Sequence, residues 1–207
     1  MNILEYKKLI TDYSRDLIMS EGYKKITIEL IASNLSISKK SIYKVFSSKR
    51  ELIASIFLNE LNNAYNGIIH LIQEKSTMIE KVEKLSNLIE NYIRIFNELS
   101  LNNLKREYPQ IWKEIILFRK ERVLPLINNL LNHSKKHDII KDYSNELIIR
   151  LFSSALTIST ERNYLLQNSY DYKVVFNSIF EILLNGIFTK KGKKLLAINK
   201  RMKNENN

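Results

Sequence analysis

Apolar residues in this chain recur every three or four positions along most of its length, and little interrupts them: 207 residues include four glycines and two prolines. That spacing lines one face of an α-helix, and no segment alternates with the two-residue period of a half-buried strand. An all-α fold is expected, from a chain long enough to bury a substantial core. The composition, 44% hydrophobic and 27% charged, is that of an ordinary globular protein rather than a disordered one. No apolar run reaches the roughly 18 residues of a transmembrane helix, and residues 1–10 lack the apolar stretch of a signal peptide. A cytoplasmic location is expected. The absence of cysteine excludes disulfides, thiolate metal sites and a cysteine nucleophile.

The first helix shows Leu9, Ile10, Tyr13, Leu17 and Ile18 on one face and is expected to stop at Gly22, a residue free to take positive φ. Thr27 can cap a short second helix with Ile28, Ile31, Ala32 and Leu35 turned inward. Ser36-Ile37-Ser38 breaks it, and Ser38 can cap a third helix to about Phe46 with Ile42, Val45 and Phe46 toward the core. Ser48 and Glu51 have the spacing of a capping box and open a long fourth helix. Beyond it, helices are expected over 78–98, 100–106, 109–133, 144–166 and 171–188. Pro125, which crowds the carbonyl of Glu121, should kink the third of these.

The net charge of +11 is concentrated in two places. Residues 24–50 carry seven basic side chains against Glu29, and residues 190–207 carry seven against Glu205. The second group follows the last strong apolar stretch and reads as a flexible basic tail, with a non-specific phosphate-binding arm as the alternative. The first lies within a periodic apolar pattern, so it belongs to a folded surface. Two short helices joined by a tight turn, the second one basic, suit the major groove of DNA. Lys39 and Lys40 can reach bases or phosphates, Ser41 is small enough for close approach, and Tyr43 and Lys44 can bond phosphates. Lys49 adds charge at a helix start, where free amides already favour anions. Charge spacing alone leaves open a solvated face of ordinary lysines.

Gly22-Tyr23, Thr27-Ile28, Ile31-Ala32, the run from Ser38 to Phe46 and Lys49-Arg50-Glu51-Leu52 together resemble the TetR family of bacterial transcriptional regulators, over residues 5–57. The resemblance implies an N-terminal three-helix helix-turn-helix domain followed by a larger helical dimerisation and effector-binding domain, working as a homodimer. It places Tyr43 and Lys49 where the family commonly contacts the DNA backbone, and Lys39, Lys40, Ser41 and Lys44 on the recognition helix. With the capping residues Thr27 and Ser38, these form the expected DNA site. One departure is Ser36, at a turn position where the family often has Gly, so that the turn either bears strain or differs in backbone.

The expected partners are a palindromic operator, a second copy of the chain and a small-molecule effector that releases a repressor from its site. Residues 171–188 are apolar around nearly the whole helix, so one side can meet the core and another, with Leu147, Leu151, Ala155 and Ile158, a partner. A deeply buried helix within one protomer is the alternative. Tyr92, Phe96, Trp112, Phe118, Arg119, Phe152 and Arg162 fall on helices that enclose the effector cavity in similar proteins; each can equally be core or surface.

No enzyme is expected. His70, His133 and His137 lack metal-ligand spacing, and Gly192-Lys193-Lys194 lacks the remaining residues of a phosphate loop. Neither a metal nor a cofactor is called for. The rival reading is a helical lipid- or metabolite-binding protein without specific DNA binding. The expected division is 1–47 for DNA reading, 48–189 for regulation and dimerisation, and 190–207 for the tail.

Overall fold

The computed structural model describes residues 2–96 and 98–205, and among these residues the architecture is helical, with one isolated β-bridge, Ile140 to Phe188. The helices are α1 (Ile3–Glu21), α2 (Ile28–Asn34), α3 (Lys39–Val45), α4 (Lys49–Gln73), α5 (Met78–Ile95) and α6 (Glu98–Glu107), followed by α7 (Pro109–Phe118), α8 (Leu124–Lys136), α9 (Asn145–Thr157), α10 (Arg162–Asn168), α11 (Tyr172–Ile187) and α12 (Lys190–Glu205). No helix among the described residues is long and apolar enough to cross a membrane.

The chain packs as two compact units. One comprises residues 1–63 and 94–118, the other residues 64–93 and 119–207. In the first, Ile10 and Ile18 of α1, Ile31 of α2, Ile42 of α3 and Leu52, Ile53 and Phe57 of α4 are buried. The ring of Phe57 meets Phe96 edge-on at 5.4 Å. The second unit has two apolar clusters, one built on Ile139, Ile140, Ile148, Ile187 and Phe188, the other on Ile93, Leu156, Phe176 and Phe180. The break after residue 47 therefore marks the start of α4, whose first part, to Asn63, packs with the N-terminal helices.

Helix ends follow from local chemistry. Asn2 and Glu5 form a capping box at α1, and Thr77 and Glu80 another at α5. Gly22 closes α1 at φ 84°, its amide donating to the Ile18 carbonyl. Three further helices close without glycine. Ser36, Asp138 and Ser169 take φ of 52°, 55° and 52°. At each, the next residue's amide reaches five residues back: Ile37 to the Ala32 carbonyl, Ile139 to Ser134 and Tyr170 to Leu165. These are Schellman closures with a polar residue where glycine is usual.

Two expected helices are divided. The segment expected to kink at Pro125 contains a π-helical turn, Arg119–Val123, directly before α8. Pro125 thereby falls in the first turn of α8, where a proline's missing amide is tolerated. The stretch expected as one helix over 144–166 breaks at residues 158–160 into a 3₁₀ turn before α10. Hydroxyls of Thr157, Ser159 and Thr160 donate to the carbonyls of Ser154, Leu156 and Thr157, a local competition with the helical ladder.

The segment expected to be a flexible tail is helical through Glu205, as α12. Its start is anchored: the Thr189 hydroxyl donates to the Asp138 carbonyl at 2.6 Å and accepts from the Gly192 amide at 3.0 Å. Lys191 donates to the His137 carbonyl, and Leu196 packs on the first apolar cluster of its unit. Gly192 lies so close to the Ile139 carbonyl that a Cβ would stand 2.2 Å from its oxygen. Gly192 and Leu196 thus have a place against the core that charge counting could not reveal.

Candidate nucleic-acid interface

The helix-turn-helix is built from three closures. Thr27 caps α2 by accepting from the Leu30 amide at 3.1 Å. Ser36 reverses the chain in the left-handed region, and Ser38 caps α3 by accepting from the Ser41 amide at 3.0 Å. The Ser38 and Ser41 hydroxyls lie 2.9 Å apart, so both bind the start of α3. Ile42 and Phe46, both essentially without solvent exposure, fix its inner side. The ammonium of Lys7 on α1 stands 5.9 Å from the centre of the Phe46 ring.

With Ile42 held inward, Lys40, Tyr43 and Lys44 are exposed, Tyr43 to 51%. This arrangement presents two cations and a phenol from one short helix, geometry that can donate to phosphate oxygens and base edges. Lys39 behaves differently. Its ammonium bonds Glu29 of α2 at 2.5 Å, and that bond is the main cause holding the Glu29 carboxyl below the usual carboxylate range. Lys39 thus braces α3 against α2, and a DNA contact would require the pair to open.

Lys49 is half-buried at the first turn of α4. The expected capping box is present in altered form. Ser48 accepts from the Glu51 amide at 3.2 Å, but the Glu51 carboxylate turns to Ser47, accepting from its amide at 2.7 Å and its hydroxyl at 2.6 Å. These bonds hold the Glu51 carboxyl below its usual range. They rigidify the connection between α3 and α4, which positions Lys49.

The residues considered for an effector are divided between the units. In the C-terminal unit, Tyr92 and Phe152 both pack on the Phe176–Phe180 cluster, and Phe152 meets Phe180 edge-on at 5.8 Å. The Arg119 guanidinium stands 5.8 Å from the Tyr92 ring centre. Burial pushes the Tyr92 phenol above its ordinary value, opposed by the charge of Arg119. Phe96 instead packs on Phe57 in the N-terminal unit, to which the half-buried Trp112 and Phe118 of α7 also belong. The Arg162 side chain lies outside the described residues.

The apolar α11 has two faces. Val175, Phe176, Phe180 and Ile187 are buried, whereas Val174 and Ile182 are 60% and 69% exposed. On α9, Leu147 and Leu151 are 57% and 48% exposed, and Ile158, just after it, is also open. α9 and α11 pack together, so these residues belong to adjacent helices.

Residues 10–56 match the family described as bacterial regulatory proteins, tetR family, the span occupied by α1 to α4 of this interface. The chain is 25% identical to the uncharacterized HTH-type transcriptional regulator YvaF of Bacillus subtilis (strain 168), over 87% of this chain and 94% of that protein. It is 23% identical to the fatty acid metabolism regulator protein of the same organism, over 87% and 95%. In fold it is similar to a TetR-family transcriptional regulator from Agrobacterium tumefaciens, with a TM-score of 0.68 at 18% identity, covering 91% of this chain and 100% of that one. The basic, core-locked third helix thus lies within a segment that matches the TetR-family DNA-binding domain, and the chain is a TetR-like DNA-binding transcriptional regulator.

Proposed function

We propose that the protein is a homodimeric, cytoplasmic repressor that binds a palindromic operator through Thr27, Ser38, Lys39, Lys40, Ser41, Tyr43, Lys44 and Lys49, and that a small molecule releases it. The observation that carries the reading is α3: Ile42 and Phe46 lock its inner side while Lys40, Tyr43 and Lys44 remain exposed. Its function is binding rather than catalysis. Residues 1–47 serve DNA reading and 48–189 regulation, although as packing the first turns of α4 belong with the former.

A palindrome requires two linked recognition helices. The exposed apolar side chains of α9 and α11 favour dimerisation there, because Leu147, Leu151, Val174 and Ile182 would otherwise face water. Leu151→Glu with Ile182→Glu should shift the chain to monomer in sedimentation equilibrium.

For the effector, Tyr92 and Phe152 offer an apolar aromatic wall, and Arg119 beside Tyr92 offers a cation. An apolar molecule with an anionic end fits this chemistry, as does the regulation of fatty acid metabolism named for one relative. Such a ligand would act by favouring a dimer whose recognition helices do not match the operator.

Selection from random duplexes should enrich one palindromic sequence. Tyr43→Ala and Lys49→Ala should each weaken binding to it at least severalfold with circular dichroism unchanged, and Lys49→Ala should reduce the slope of log affinity against log salt by about 1. Selection that enriches no sequence would overturn the operator reading.

A further inference from the structure

We propose that the C-terminal unit carries a second DNA-binding surface, formed by Lys190, Lys193 and Lys194 of α12 with Lys136 of α8, which holds duplex phosphates without reading sequence. Lys191 and Thr189 bond carbonyls of residues 137–139, and these bonds bring the start of α12 beside the end of α8. Gly192 and Leu196 face the core. At 100° per residue, Lys190 and Lys194 then lie on the opposite side of the helix and Lys193 on its flank, and all three are exposed, as is Lys136.

Among the described residues, none of these four lysines has a carboxylate within ion-pair distance, whereas Lys135 pairs with Asp142 at 3.4 Å. Helix α12 carries seven basic residues and one acidic one, Glu205, a net +6. Three uncompensated lysines in its first two turns oppose the helix dipole. Their placement weakens the helix, so stability does not account for it.

Charge and surface chemistry select the partner. Four lysines with no exposed aromatic or arginine among them offer point charges, suited to phosphates and not to base edges. A helix that binds by entering a lipid surface needs an exposed apolar side. Here Gly192 is closed against the Ile139 carbonyl, Leu196 lies on the core, and Leu195, 37% exposed, is a lone apolar side chain between Lys194 and that core-facing side rather than a stripe, which favours DNA over an anionic bilayer.

The test uses the full chain with Lys39, Lys40 and Lys44 changed to Gln, so that the recognition helix contributes little to non-specific binding. In this background, Lys136→Gln, Lys190→Gln, Lys193→Gln and Lys194→Gln are combined. Fluorescence anisotropy on a random-sequence duplex should show at least a tenfold loss of affinity at low salt. The slope of log affinity against log salt should fall by about 3 to 4, near 0.9 per lost phosphate contact. The corresponding Lys→Arg set should retain both affinity and slope, and the melting temperature of the Gln set should not drop. An unchanged slope in the Gln set would overturn the proposal, as would equal weakening in the Arg set. Loss of binding to phosphatidylglycerol vesicles with duplex binding intact would also overturn it, in favour of a membrane partner. Operator selection with only these four C-terminal lysines changed should still enrich the wild-type sequence, which separates this surface from the operator reading.

Discussion

Replacing Ser36 with Gly should stabilise the helix-turn-helix. Ser36 sits at φ 52° and closes α2, its own amide donating to the Ser33 carbonyl at 3.2 Å and the Ile37 amide to the Ala32 carbonyl at 3.0 Å. A Cβ in the left-handed region costs about 1–2 kcal/mol. Glycine removes that cost but has more freedom to lose on folding, which returns about 0.4–1 kcal/mol. The net gain should be about 0.5–1 kcal/mol, because Ser36 is exposed and both hydrogen bonds belong to backbone. Amide hydrogen exchange offers a local readout. Protection of Ile37 and Phe46 should rise about two- to fivefold, and the urea midpoint of the N-terminal unit by roughly 0.3 M for a slope near 2 kcal/mol/M. Ser36→Val, β-branched at the same φ, should lower stability by at least about 1 kcal/mol. If Gly left protection unchanged while Val was tolerated, the turn would not be left-handed and the reasoning would fail.

Gly192→Ala should destabilise the C-terminal unit by about 1–3 kcal/mol, since the new Cβ meets the Ile139 carbonyl oxygen at 2.2 Å. Gly186→Ala, with nothing within 4 Å in α11, should be neutral or raise the melting temperature. Two glutamates should respond to pH with opposite signs. The Glu51 carboxyl is held low by its bonds from Ser47, so its contribution is complete above the unfolded value near 4.3 and is lost as pH falls through the folded pKa. Wild type should melt above Glu51→Gln at pH 7, and the gap should narrow as pH falls below the unfolded carboxylate value and through the lower folded one. Burial raises Glu60, with Arg15 opposing. Its contribution is present below the unfolded pKa and is lost as pH rises through the folded one, so Glu60→Gln should melt above wild type at neutral pH, with the advantage fading in acid.

The parts of this molecule legible in the sequence are those decided within a few residues. Thr27 and Ser38 cap helices because a hydroxyl accepts from an amide three positions on, and Ile42 and Phe46 face inward because of helical spacing. At the same scale, Ser36 marked its own strained turn as a departure from glycine. Less visible was the destination of flexible side chains. Lys39 pairs with Glu29, ten residues away, and Glu51 bonds Ser47 instead of completing the box with Ser48. The effector candidates shared helical, aromatic character but fall into different units: Tyr92 and Phe152 in one aromatic cluster, Phe96 against Phe57.

Local order therefore determined that this chain is helical, where its short basic third helix lies and which side of that helix faces inward, since caps and periodicity act over one or two turns. Tertiary structure decided what the helices meet. Only packing could divide α11 into a buried side at Phe176 and Phe180 and an open one at Val174 and Ile182, because all are equally apolar in sequence. It also converted a lysine-rich end into an anchored helix, through a glycine whose missing side chain makes room for a carbonyl more than fifty residues earlier in the chain.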